Sequence, residues 1–197
     1  MRFFDFLKKN KHQNINFIKA NNLEDWWNKN FNDRERKKIV SEGSNLLEND
    51  LNSKKTAART LYLLAGNVMT KFYNKNPDVV IRLLKKAAEL SDDPIELFEI
   101  YSQLIMLQYK EDEDQKNLNK TIALCEKQID ISAEVLNSLK KDKSSDEEID
   151  YPFHVGYQKL AEIKHQQGQK EEALNLIEQA KKDNWSGNWD HLLGKLN

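Results

Sequence analysis

Few residues in this chain have the type and spacing for chemistry. Glu162 and His165 stand three apart, the Glu-x-x-His spacing that puts a carboxylate and an imidazole on one helical face in di-metal sites. Such a centre needs a second copy of the pair and further carboxylates, and none is found in the sequence. His154 precedes His165 by eleven residues, close to the same helical face but at a frayed helix start, so both read as groove or surface histidines. The acidic run Glu111-Asp112-Glu113-Asp114 lacks the turn glycine and closing glutamate of a calcium loop. Neither Gly-x-Gly-x-x-Gly nor Gly-x-x-x-x-Gly-Lys occurs, so no phosphate-cradling loop is expected. Cys125 stands at a packing position and reads as a small buried hydrophobe rather than a nucleophile. As the sole cysteine it allows no internal disulfide and no multi-thiol zinc site, which suits a reducing cytoplasm. The expectation is a chain with no catalytic residue, no metal ligand and no cofactor.

The elements that position these residues are helical. Only three Pro and six Gly punctuate the chain, too few breakers for a strand-rich fold. Residues 23–49 suggest two short helices carrying Leu23, Trp26, Trp27 and Phe31, with Asn32 and Glu35 as a capping pair and Gly43-Ser44 breaking the second. The paired tryptophans read as a cap on the helical stack rather than a ligand grip. A helix capped by Ser53 runs to about Tyr73, and Pro77 opens the next, which ends near Ser91. A third spans about 94–109, followed by a charged loop over 110–119. Helices over about 120–131 and 132–140, the latter capped by Ser132, lead into an acidic linker over 141–150. Pro152 opens a helix to Gln167, Gly168 turns the chain, a long helix reaches Lys182, and a short one covers 189–196.

Composition narrows the function classes. Thirty-one basic residues against 32 acidic give a net charge of −1, which nominates neither nucleic acid nor an anionic membrane. Only five basic residues are Arg, the preferred reader of phosphates and base edges, so nucleic-acid binding is disfavoured. No window approaches the roughly 20 apolar residues of a spanning helix, and the first residues form too short an apolar core for a signal peptide. Cytoplasmic localisation is the expectation. Phe3, Phe4, Phe6 and Leu7 read as an arm packed on the domain, with an amphipathic anchor as the other reading.

The window 154–185 then shows an internal pattern. Tyr157, Leu160, Ala161, Gly168, Ala173, Ile177 and Ala180 fall at positions 4, 7, 8, 15, 20, 24 and 27 of a unit beginning at His154. This closely resembles the tetratricopeptide repeat family, whose 34-residue unit is a helical hairpin. Val80, Leu84 and Ala87 keep the 20–24–27 spacing, as do Thr121, Cys125 and Gln128, with Tyr101 and Leu104 at positions 4 and 7 of the middle copy. Leu104 to Thr121 is four residues longer than the unit allows, so those residues belong to the 110–119 loop. Pro152-Phe153-His154-Val155-Gly156-Tyr157 and Trp185-Ser186-Gly187-Asn188-Trp189 are similar to segments of small bacterial repeat proteins of this kind.

The resemblance implies an all-α, degenerate tetratricopeptide-like solenoid of about three hairpins (54–91, 94–140 and 152–183). Short helices and an arm in 1–50 precede it, and a capping helix at 189–196 closes the repeat domain of 53–197. It also implies a concave groove formed by the first helix of each hairpin. Tyr62, Met69, Phe72 and Tyr73 would line it in the first repeat, Met106 and Tyr109 in the second, and Gln158, Glu162 and His165 in the last. Gln158 and Glu162 occupy places where chaperone-binding members carry a Lys/Asn carboxylate grip, so acidic chaperone tails are not the expected partner. A protein- or peptide-binding scaffold without catalysis is the leading reading, its oligomeric state open. A bacterial peptide-signal receptor comes second and a metal-dependent helical enzyme third.

Overall fold

Side-chain caps mark the starts of some helices, and proline or packing sets the others. A computed structural model describes residues 17–50, 56–72, 76–114, 117–141 and 149–196, and among these the chain is helical with one isolated bridge and no strand. It divides into two units, residues 1–91 and 92–197.

The first unit holds α1 (Glu24–Asn30), α2 (Asp33–Asp50), α3 (Ala57–Phe72) and α4 (Pro77–Leu90). Asn32 caps α2 as expected: its Oδ1 accepts from the N–H groups of Arg34 and Glu35 at 3.0 Å, and Glu35 Oε2 accepts from Asn32 N–H at 2.9 Å. Gly43 does not break α2. The helix continues through a buried Gly43 to Asp50, absorbing a helix penalty of about 1 kcal/mol. Ser53 lies outside the described residues. Thr56 caps α3 instead, its hydroxyl accepting from Arg59 N–H at 3.1 Å. Pro77 opens α4 as predicted, and α3 packs on both α4 and α2. Trp26, Trp27 and Phe31 cluster with ring centroids 4.9–6.2 Å apart. Arg82 and Lys86 of α4 lie over Phe31 and Trp26 at 4.8 and 6.0 Å, so the aromatic group covers α4.

The second unit holds α5 (Pro94–Asp114), α6 (Asn119–Asp130), α7 (Ser132–Lys141), α8 (Val155–Gln166), α9 (Lys170–Lys182) and α10 (Trp189–Leu196). Helix α5 packs on α6, α7 and α8; α8 packs on α6 and α9, and α10 on both α8 and α9. Gly168 makes the α8–α9 reversal with φ of 77°, the left-handed conformation that glycine adopts at little cost. Phe98, Tyr157, Ala161, Ile177, Trp185 and Leu192 belong to one apolar core, and Ile105, Cys125 and Leu160 to a second.

Three expectations fail in this unit. Helix α5 runs to Asp114, well into the expected loop. Asp112, 1% exposed, accepts from Gln108 Nε2 at 2.8 Å and from Thr121 N–H and Oγ1 at 2.9 Å, which secures the extra turn and gives the start of α6 an acceptor that Leu118 cannot supply. The hydroxyl of Ser132 is drawn to the Gln128 carbonyl and His154 rather than to a cap. Pro152 does not open a helix. Residues around it are extended: the Pro152 carbonyl accepts from Ser186 N–H at 3.3 Å and the Ser186 carbonyl accepts from His154 N–H at 2.9 Å. The linker residues 142–148 lie outside the described residues.

Candidate functional site

Helix α8 has two chemically different sides. At its N-terminus His154 is the cap residue, and the imidazole is completely buried. That overturns its reading as a surface or groove histidine at a frayed helix start. Its Nδ1 accepts from Tyr157 N–H at 3.2 Å, which leaves the ring proton on Nε2. Nε2–H then donates to Ser132 Oγ at 2.8 Å, and the Ser132 hydroxyl donates to the Gln128 carbonyl at 3.2 Å. Phe98, Tyr157 and Trp185 surround the ring at centroid distances of 5.0, 4.5 and 4.7 Å. Burial lowers its pKa from 6.5 to about 3.

A serine and a histidine at 2.8 Å resemble an activated nucleophile, and the tautomer argues otherwise. A general base must present a lone pair to the hydroxyl, whereas here the facing nitrogen carries the proton. Ser132 is also only 6% exposed. The pair is a structural link between α7 and the start of α8.

Gln128 extends that link. Its Nε2 donates to the Phe98 carbonyl at 2.9 Å and to Ser102 Oγ at 2.6 Å, while its Oε1 accepts from Gly156 N–H at 2.6 Å. Gly156 sits so close to α6 that a Cβ would lie 2.8 Å from Gln128 Oε1 and 3.0 Å from the Cys125 carbonyl. Burial pushes the Cys125 thiol up to about 12, with Glu126 adding to the shift, so it stays protonated and inert at neutral pH.

The other side of α8 faces outward. Lys159 Nζ lies 4.4 Å from the Tyr109 ring centroid and 2.6 Å from Glu162 Oε2. Gln158 Nε2 donates to Glu162 Oε1 at 3.2 Å, and Gln158 Oε1 accepts from Asn188 N–H at 3.1 Å. Tyr109, Gln158 and Glu162, which the repeat resemblance puts on one groove, are thus joined through Lys159. Met106 is 51% exposed one turn before Tyr109 on α5. Beyond this strip a cavity of 320 Å3 opens between α8 and α10. Ala161, Ile177, Leu192 and Leu196 form its apolar part, and Lys159, Glu162, His165, Gln166 and Lys195 its polar part. Among the described residues no three His, Cys, Asp or Glu side chains converge on one point.

Four of the expected groove residues, Tyr62, Met69, Phe72 and Tyr73, belong to the first unit. Tyr62 and Met69 are half-buried on α3, with Arg59 over the Tyr62 ring at 5.0 Å. Phe72 is 5% exposed and lies under Lys38 of α2, 4.3 Å from ring centroid to Nζ. Tyr73 lies outside the described residues. Sequence reasoning missed Lys159, Lys195, Leu192 and Leu196 as lining groups. The spacing Trp189, Leu192, Leu196 carried that signal, since an apolar stripe on a short last helix must be covered by something. Among the described residues no helix is long and apolar enough to cross a membrane. Comparison with protein-family models, with curated proteins and with solved structures returned no match to this chain.

Proposed function

We propose that the chain is a non-catalytic, cytoplasmic scaffold that binds a protein or peptide partner through a groove on tetratricopeptide-like hairpins. The observation that carries this reading is the α5–α8 strip running from Met106 through Tyr109, Lys159 and Glu162 to the cavity beside His165. An exposed apolar side chain, an aromatic ring, paired charges and a recess of side-chain size are what an extended or helical partner requires. The repeat reading draws support from burial. Val80, Leu84 and Ala87 in α4, Thr121, Cys125 and Gln128 in α6, and Ala173, Ile177 and Ala180 in α9 are all at most 1% exposed. Those are the positions at which a second repeat helix must meet its neighbours.

The test is capture of partners from native-cell extract by the tagged chain beside a variant carrying Met106→Lys and His165→Glu. Both positions are exposed, so the variant should fold normally. The expected result is a partner retained by the native chain and lost with the variant. Equal capture by both would remove the strip as the binding surface.

A further inference from the structure

The cavity beside α8 has a narrower chemical character than general peptide binding requires. Its apolar part is deep, since Ala161, Ile177, Leu192 and Leu196 are each at most 5% exposed. Its polar part is unequally charged. Lys159 and Glu162 balance each other at 2.6 Å, and Lys159 is further engaged by the Tyr109 ring. Lys195, exposed in the last turn of α10, pairs with no carboxylate among the described residues. Among the described residues the mouth therefore has one cation left over beside an apolar recess. A volume of 320 Å3 is near the lower end of the roughly 300–1,000 Å3 typical of ligand pockets, room for one large side chain and its neighbour's head group.

Resting on the scaffold reading, we infer that this cavity takes an apolar side chain of the partner peptide together with an adjacent acidic residue. The apolar group lies on Leu192 and Ile177, and the carboxylate pairs with Lys195. Met106, on the same strip, gives the peptide a second apolar contact. An unpaired basic residue at that place in the peptide would meet Lys195 and be rejected, which gives the site a charge preference as well as an apolar one.

The experiment is selection of a random twelve-residue peptide library on the full chain. It is followed by fluorescence polarisation of a selected peptide, its acid-to-Lys analogue and the Lys195→Glu variant. The expected enrichment is Asp or Glu beside Leu, Ile, Met or Phe. Replacing the acid by Lys weakens binding by about tenfold or more, and Lys195→Glu weakens the acidic peptide while improving the Lys analogue. Thermal unfolding of the variant should match the native chain, because Lys195 is exposed. Enrichment of peptides without an acid, or affinities indifferent to both charge changes, overturns this inference and leaves the scaffold reading standing. No enrichment of any peptide overturns both.

Discussion

His154 and His165 lie eleven residues apart, and their surroundings differ in almost every respect. His154 is fully buried, neutral, ringed by three aromatic side chains and hydrogen-bonded at both nitrogens. His165 is exposed at the mouth of a cavity. The contrast arises because His154 is not in the helix at all. As a cap residue its backbone turns away from the α8 axis, so the side chain points into the junction of α6, α7 and the 185–188 turn rather than along the groove face. One end of α8 is fixed by a dense polar network, and that fixation is what allows its outer face to present Gln158, Glu162 and His165 in a set register.

The largest effect should come from removing the fixed end. His154→Ala deletes a buried ring, removes the donor to Ser132 Oγ and leaves the Tyr157 N–H without its acceptor, and urea denaturation should show a loss of about 3 kcal/mol or more. A loss under about 0.5 kcal/mol, the size expected of an exposed position, would erase the contrast.

Acid should act on the same group. Folding depresses the His154 pKa from 6.5 to about 3, so the folded state favours the neutral ring. Its contribution is complete above about pH 6.5 and is lost as pH falls from there toward 3, by on the order of a few kcal/mol. Stability measured across that range in native protein and in His154→Gln, which cannot titrate there, should diverge; parallel curves would assign the acid sensitivity elsewhere.

Gly156→Ala is next. The added methyl meets Gln128 Oε1 at 2.8 Å, and three hydrogen bonds hold Gln128 in place, so a loss of about 1–3 kcal/mol is expected from thermal or urea unfolding. A neutral result would mean that α6 and α8 separate readily.

How much of this could be read from the sequence follows from how local each cause is. The Asn32–Glu35 capping box, Pro77 at a helix start and Gly168 at a reversal each depend on residues within one turn, and all three are present. The end of α5 and the start of α8 were misjudged because their causes are distant in sequence. Asp112 is secured by Thr121, and the 151–154 segment by Ser186. The cavity was half legible. Glu162 and His165 follow from helical register, but Leu192 and Lys195 depend on where α10 folds back, which its apolar stripe requires without saying against what.

The first unit offers a smaller test, because its Glu35–Arg82 tie is only partly buried. Glu35→Ala removes both the cap to Asn32 and the 2.9 Å contact to Arg82 that joins α2 to α4. A cost of about 1 kcal/mol is expected, well below that of His154→Ala. A cost equal to the His154 change would show that the two ties carry similar weight.

We propose that the outer face of α8 binds a peptide while its buried end only supports. It is tested most directly by measuring the affinity of a library-selected peptide and the urea midpoint together on His165→Glu. The account predicts a fall in affinity of about tenfold or more with the midpoint unchanged. An unchanged affinity, or a midpoint that falls as far as that of His154→Ala, would contradict it.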